Sequence, residues 1–217
     1  MSVIAAMLEL GLKFTVAYLL GSILGSLVVG QLRGGVDIRE LGSGNAGGTN
    51  ALRTQGKMFA FWVMLIDVGK GIFPVMILPT LDISRVNVDP LLSQEVIAYA
   101  VGLGAVLGHV YPVWYDFKGG KGGATAAGVL CVVAPSLVLP VIFCWFAVIV
   151  LTGYVGLSTM GAAVGAAACI GVIDLPDAYR RFVFAVLIAV LIIFTHRANI
   201  QRMWQGTENR IFPFRSG

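Results

Sequence analysis

From Ala126 to Ile173 the chain runs without one charged side chain. A stretch so long and so apolar belongs in a lipid bilayer. No water there can pair with backbone N–H and C=O groups, so the segment must close its hydrogen bonds internally, as helices. A span takes about 20 residues, so this stretch holds more than one. Pro135 and Pro140 mark one break, and the segment Thr152 to Ser158 marks another. The reading is three short helices, with one long span as the competitor.

Four further apolar runs accompany it, roughly Phe14–Gly30, Met58–Leu81, Val96–Tyr111 and Phe182–Thr195. The expected fold is all-α, a polytopic integral membrane bundle of seven transmembrane helices forming a single domain over residues 1–217. Five spans is the alternative if the middle block is one. The composition agrees, with 58% hydrophobic and 12% charged residues against about 45–50% and about 25% in globular proteins. It excludes a disordered chain, and it cannot supply the polar skin of a soluble enzyme. Three cysteines make a disulfide-stapled secreted domain a poor fit. They sit in apolar runs as Cys131, Cys144 and Cys169, where they read as small buried side chains.

The first run competes with a cleavable signal peptide. Glu9 precedes Lys13 and no basic cluster opens the sequence, so a span is preferred, beginning well before Phe14. Glu9 and Lys13 are one turn apart and can pair at the membrane surface. Asp67 and Lys70 share one face of the second run, where a paired role inside the membrane is expected, architectural rather than functional. Gly21/Gly25, Ser22/Ser26 and Gly161/Gly165 have helix-packing spacing and read as contacts within the bundle. No internal repeat of the inverted-transporter kind is visible.

Orientation follows from Lys and Arg in short loops. Residues 31–57 hold Arg33, Arg39, Arg53 and Lys57. Residues 112–125 hold Lys118 and Lys121. Residues 195–217 hold Arg197, Arg202, Arg210 and Arg215. The opposite loops are poorer, with Arg85 in one, and Arg180 and Arg181 offset by Asp174 and Asp177 in the other. The basic segments are expected in the cytoplasm, with the N-terminus outside and the C-terminus cytoplasmic. Five spans would give the same result.

Those three segments carry the chemistry. The first reads Gly42-Ser43-Gly44-Asn45-Ala46-Gly47-Gly48-Thr49-Asn50, then Arg53. Its glycines allow tight turns that aim N–H groups inward, and Arg53 adds a planar fork suited to phosphate. It is not a P-loop, since no Gly-Lys-Ser/Thr follows; a flexible linker is the bland alternative. The second reads Gly108-His109-Val110-Tyr111-Pro112, then Phe117-Lys118-Gly119-Gly120-Lys121-Gly122-Gly123-Ala124-Thr125. Two lysines among glycines, just before an apolar helix, suit an anion at a helix N-terminus; a positive-inside anchor is the alternative. The third reads Thr195-His196-Arg197-Ala198-Asn199-Ile200, leading to Arg202 and Gly206-Thr207-Glu208. His196 and Asn199 share a helix face; a basic stop-transfer tail is the alternative. With seven spans all three segments reach the same face, which suggests a phosphate site at the membrane surface and one partly lipidic substrate.

Other chemistries are missing. No zinc-protease helix motif, clustered carboxylate pair, Cys/His metal set or nucleophile elbow is present. Asp37, Glu40, Asp116 and Glu208 are scattered, where divalent-metal phosphotransfer needs grouped carboxylates. The His-x4-Asp pair of common glycerolipid acyltransferases is absent too. Neither a metal nor a cofactor is expected.

Together the segments Gly42–Asn50 with Arg53, Gly108–Pro112 with Phe117–Thr125, and His196–Ile200 with Gly206–Glu208 resemble the signature segments of one family. It is the bacterial membrane-integral, acyl-phosphate-dependent glycerol-3-phosphate acyltransferases, the PlsY family, and the resemblance covers nearly the whole chain. It implies a seven-helix bundle in the bacterial cytoplasmic (inner) membrane, with its site open to the cytoplasm. It implies acyl transfer from acyl phosphate to the first hydroxyl of sn-glycerol 3-phosphate, giving lysophosphatidic acid and phosphate, the first acylation of phospholipid synthesis. Ser43, Arg53, Lys121, His196 and Asn199 would then lie around substrate phosphate, with Ser158 at a further site position. Gly44, Asn45, Gly48, Thr49, Asn50, Lys118, Gly119, Gly120 and Arg197 complete the expected binding set. The implied partners are the two substrates, membrane lipids and the soluble enzyme that makes acyl phosphate, with no nucleic acid. The sequence departs at Gly48, where the family usually has Ala, at Gly123, where it has Val, and at Ala198, where Glu is common.

Acyl phosphate has a good leaving group, so no covalent nucleophile is required. Arg53, Lys121, His196 and Asn199 are expected to grip glycerol 3-phosphate, with the glycine-loop N–H groups and Ser43 or Ser158 serving the acyl phosphate. Either His196 or a substrate phosphate oxygen takes the proton, the latter preferred. A transporter of phosphate esters is the rival, and it predicts polar residues at the midplane of several spans; only Asp67 and Lys70 qualify. A lipid-binding scaffold would accept the basic loops but has no use for such defined glycine, serine and asparagine placement.

Overall fold

The computed structural model describes residues 3–81 and 93–211, so Arg85 and Arg215 of the charge comparison lie outside the described residues. The chain divides into two compact units, Met1–Val133 and Ala134–Gly217. No strand occurs among the described residues.

In the first unit, α1 (Val3–Gly21) and α2 (Gly25–Leu32) replace the single span expected over Phe14–Gly30. The break has a packing cause and a polar one. Gly21 lies so close to α5 (Gln94–Val110) that a Cβ would overlap the Ala105 carbonyl. Two residues of α4 (Lys57–Ile77) then hold the loose ends. Asp67 Oδ1 accepts the Gly25 N–H at 3.1 Å, at the start of α2. Lys70 Nζ donates at 2.6 Å to the Ile23 carbonyl, just past the end of α1. A carboxylate at a helix N-terminus and an ammonium at a C-terminus also complement the helix dipoles. The two side chains pair at 3.0 Å, so this intramembrane pair joins two half-helices. Lys13 is equally committed. It is only 1% exposed, pairs with Glu9 at 2.5 Å and donates to the Leu81 carbonyl at 2.7 Å.

Helix α4 is the centre of the unit and packs on α2, α3 (Gly48–Gln55), α5 and α6 (Gly123–Val133). Gly128 of α6 meets the Val68 backbone, and Gly71 of α4 meets that of Thr125. Val29, Ile38, Ala51, Phe59, Ala60 and Val63 form one buried cluster. Each large member stabilises by about 1.5–3 kcal/mol. The cluster is the floor on which residues 38–51 rest.

The second unit holds α7 (Val138–Thr152), α8 (Val155–Ile173), α9 (Tyr179–Thr195) and α10 (Arg197–Trp204). Helix α8 packs on both α7 and α9. Its Gly161 and Gly165 face Val148 and Cys144 of α7, so these small residues serve packing within the unit. Helices α9 and α10 meet at 54°, with His196 at the bend.

The block from Ala126 to Ile173 is thus three helices, not one. Five helices among the described residues are long and apolar enough to cross a membrane, or six if the bent pair is one span. Helix α6 is apolar but short. Cys131 is exposed, a correction to the expected burial; lipid is as apolar as a protein core, so a membrane helix need not hide a small thiol.

Candidate functional site

Each unit has its own polar centre. In the first, the chain from Leu41 to Gly47 wraps around one side chain. Asn50 is 1% exposed. Its Nδ2 donates to the carbonyls of Ile38 at 2.8 Å, Leu41 at 3.0 Å and Asn45 at 3.0 Å. Its Oδ1 accepts the Ser43 N–H at 3.0 Å. Gly42, at φ 58°, passes so near that a Cβ would strike Asn50 Oδ1. Asn50 therefore organises the loop from inside. Ser43 and Gly44 are exposed on it, and Asn45 is half-buried. Gly48 and Thr49 open α3, whose start has no side-chain cap. Its first N–H groups are accordingly of the kind that takes anions. Met64 fills the space beside Gly48 that an alanine methyl would occupy, with Sδ 2.5 Å from the ideal Cβ position. Arg53 is exposed in the last turn of α3.

The second glycine segment is anchored to α1 by two hydrogen bonds. Tyr18 Oη donates to the Tyr111 carbonyl at 2.6 Å, and Trp114 Nε1 donates to the Leu19 carbonyl at 3.2 Å. Asp116 and Phe117 both adopt left-handed backbone, at φ 54° and 58°, a conformation aspartate tolerates but one costly for phenylalanine, and the pair turns the chain into Lys118. Lys118 is exposed, Gly119 half-buried and Gly120 buried. Lys121 is half-buried, two residues before α6 begins. The Gly120 N–H donates to the His109 carbonyl at 3.0 Å. Gly120 also lies against the His109 ring, and a Cβ would overlap Nε2 and come within 2.9 Å of Cε1.

Arg39 joins the two glycine segments, and sequence reasoning did not select it. Its Nε and Nη2 donate to the Asp37 carboxylate at 2.7–3.1 Å. Its Nη1 donates to the Lys118 carbonyl at 3.2 Å, and the guanidinium lies 5.7 Å from the Tyr115 ring centre. The hydrogen bonds from Arg39 hold the Asp37 carboxyl below the usual carboxylate range, against a smaller burial effect. The same pairing raises Arg39 above its usual value. The signal was Asp37-x-Arg39 flanking the glycine loop, but that spacing means little until the short 3-10 turn of Ile38–Glu40 is known.

In the second unit the polar centre surrounds the α9–α10 bend. His196 is buried, and its Nδ1 meets the Ile192 carbonyl at 2.7 Å. That bond makes Nδ1 the donor. Asn199 Nδ2 donates to Glu208 Oε1 at 2.8 Å, and Arg202 Nε donates to Oε2 at 2.6 Å. Glu208 thus holds Asn199 and Arg202 together, a role not assigned from sequence although Gly206-Thr207-Glu208 belongs to the third segment. Ala198 beside them is exposed; the ion pair of this segment is Arg202 with Glu208. Asn199 also lies against Gly156, which brings the start of α8 to it. Ser158, in the first turn of α8, is fully buried and donates to the Tyr154 carbonyl at 2.9 Å. Arg197 is exposed, donates to the Phe194 carbonyl at 3.1 Å and lies over the Phe194 ring. The chain after α10 returns to the same place, where the Ile211 N–H donates to the Gly153 carbonyl at 2.9 Å.

The chemistry available is that of anion binding and positioning: cationic side chains, uncapped helix starts, a buried imidazole and a clasped amide. Among the described residues no three His, Cys, Asp or Glu side chains gather as a metal set.

Residues 12–206 match a family model described as glycerol-3-phosphate acyltransferase. The chain is similar to the glycerol-3-phosphate acyltransferase of Chlorobaculum parvum, at 39% identity over 218 residues, covering 91% of this chain and 94% of that one. It is similar to that of Bacillus cytotoxicus, at 44% over 200 residues, covering 91% and 92%. Its fold is similar to a crystal structure of PlsY (YgiH), an integral membrane glycerol 3-phosphate acyltransferase, in the glycerol 3-phosphate form. The TM-score is 0.79 and the identity 35%, covering 94% of this chain and 96% of that one. The lysophosphatidic acid form of PlsY gives a TM-score of 0.78 at the same identity, covering 94% and 95%.

Proposed function

The chain belongs to the glycerol-3-phosphate acyltransferase family, and from that premise we propose that it takes a fatty acyl group from acyl phosphate to the sn-1 hydroxyl of sn-glycerol 3-phosphate. Family membership makes it a membrane acyltransferase; the donor and the hydroxyl position are the proposal. The hydroxyl oxygen bonds to the acyl carbonyl carbon, the carbon–oxygen bond to phosphate breaks, and inorganic phosphate and lysophosphatidic acid leave. The hydroxyl proton passes to a substrate phosphate oxygen. Holding the two substrates in register lowers the barrier by about 7–11 kcal/mol. Each donor aimed at the developing oxyanion contributes about 2.7–4 kcal/mol.

Arg53, Lys121, His196 and Asn199 hold glycerol 3-phosphate. The N–H groups of Asn45, Gly48 and Thr49, with Ser43 or Ser158, serve the acyl phosphate, while Gly44, whose N–H turns back to the Leu41 carbonyl at 3.1 Å, shapes the loop that presents them. Lys118, Gly119, Gly120 and Arg197 complete the binding set. Asn50 contributes by shaping the loop. Residues 1–217 work as one acyltransferase domain of seven spans in the bacterial cytoplasmic membrane. The N-terminus is outside and the C-terminus inside, and the site draws acyl phosphate from the soluble enzyme that makes it.

The observation that carries the reading is Arg39. It ties the loop that presents Ser43 to the segment that presents Lys118, so two glycine-rich anion binders are built as one piece. The test is phosphate release by purified protein given palmitoyl phosphate and glycerol 3-phosphate. Release that requires glycerol 3-phosphate and collapses in Lys121→Ala supports it. Activity with an acyl thioester but not with acyl phosphate overturns the donor. Near-normal turnover in His196→Gln ends any base role for His196.

A further inference from the structure

His109 belongs to none of the binding roles above, yet it is buried and touches the one loop that carries Lys121. Its carbonyl accepts the Gly120 N–H at 3.0 Å, and the Nε2 edge of its ring meets Gly120 so closely that a Cβ has no room. Gly119 is fitted to the same turn, since a Cβ there would come within 2.7 Å of Pro112 Cδ and 2.8 Å of the Val110 carbonyl. The other side of the ring faces the α1–α2 junction. Nδ1 lies 3.5 Å from Asp67 Oδ1, the atom that also takes the Gly25 N–H and the Lys70 ammonium.

We infer that His109 is a positioning residue, whose ring, backed by the Asp67–Lys70 junction, sets where Gly120 sits and so where Lys121 meets substrate phosphate. This rests on the proposed role of Lys121. The main-chain bond from Gly120 survives any substitution at 109, so the ring's own part is isolated by changing the side chain alone. A tightly packed interior passes such a displacement to its neighbour rather than absorbing it.

The experiment is steady-state kinetics with both substrates varied. His109→Ala is expected to raise KM for glycerol 3-phosphate about tenfold while KM for palmitoyl phosphate moves less than twofold. His109→Phe, which keeps an aromatic edge against Gly120, is expected to restore the glycerol 3-phosphate KM to within about threefold of wild type. A purely structural role would lower the active fraction and leave both KM values in place. If His109→Ala does not fold, His109→Leu fills the space without an aromatic edge and carries the same expectation. An unchanged glycerol 3-phosphate KM, equal rises in both KM values, or failure of His109→Phe to rescue overturns the inference. Lys121→Ala is measured beside them. If it leaves the glycerol 3-phosphate KM unmoved, the role given to Lys121 fails whatever His109 does. If it raises that KM and His109→Ala does not, the inference about His109 fails alone.

Discussion

The join between α1 and α2 can be taken apart one charge at a time. Lys70→Met leaves the Asp67 carboxylate buried without its ammonium, and removing one partner of a buried pair costs about 3–5 kcal/mol. It also strips the Ile23 carbonyl of its donor at 2.6 Å, worth about 1–3 kcal/mol of that loss as an unsatisfied buried acceptor. Adding Asp67→Asn removes the orphan charge while an amide oxygen can still accept the Gly25 N–H, now at 3.1 Å. The double variant keeps the carbonyl penalty but loses the charge penalty. It is therefore expected to be more stable than Lys70→Met alone by about 2 kcal/mol, the part of the single loss not owed to Ile23. The assay is reversible unfolding in mixed micelles by denaturing detergent, run as a double-mutant cycle. If the two losses simply add, Asp67 and Lys70 are not a coupled join and the account of the helix break is wrong.

Four shorter predictions accompany it. Asn50→Ala removes four loop hydrogen bonds; a loss of about 2 kcal/mol is expected, read by thermal unfolding, with weaker acyl phosphate binding. Glu208→Ala unclasps Asn199 and Arg202 and should lower kcat/KM at least tenfold, whereas Glu208→Gln, which still accepts from Asn199, should lose less. Asp37 has a lowered pKa, so its pair with Arg39 stabilises fully above the ordinary carboxylate value of about 3.9 and fades as pH falls through the lowered one. The stability advantage of wild type over Asp37→Asn, read by thermal unfolding, should thus be constant near neutrality, below about 1 kcal/mol in size, and vanish in acid. Finally, Ser43→Cys should react with a membrane-impermeant maleimide in inside-out vesicles and not in intact cells; the reverse pattern would overturn the proposed orientation.

The three helices of the middle block were legible because proline and a short polar stretch interrupt the apolar run. The break after Gly21 was not. Phe14 to Gly30 contains no proline and no charge, and the break is imposed from outside, by the Ala105 backbone and by two side chains of α4. At the polar centres, residue types announced anion binding but not who holds whom. Asn50 looks like a ligand in sequence because an asparagine in a glycine loop suits either job; only the folded loop turns it inward. Glu208 is nine residues from Asn199, and nothing in that spacing announces a clasp until the chain reverses after α10.

That reversal sets an order of events during synthesis. A ribosome releases α10, with Asn199 and Arg202, before it releases Glu208. The carboxylate that draws the two together arrives only afterwards, along with the Ile211 N–H that fastens the returning chain to Gly153. A nascent polypeptide stalled at Gly206 has all its described helices in hand, yet its third segment still lacks the latch.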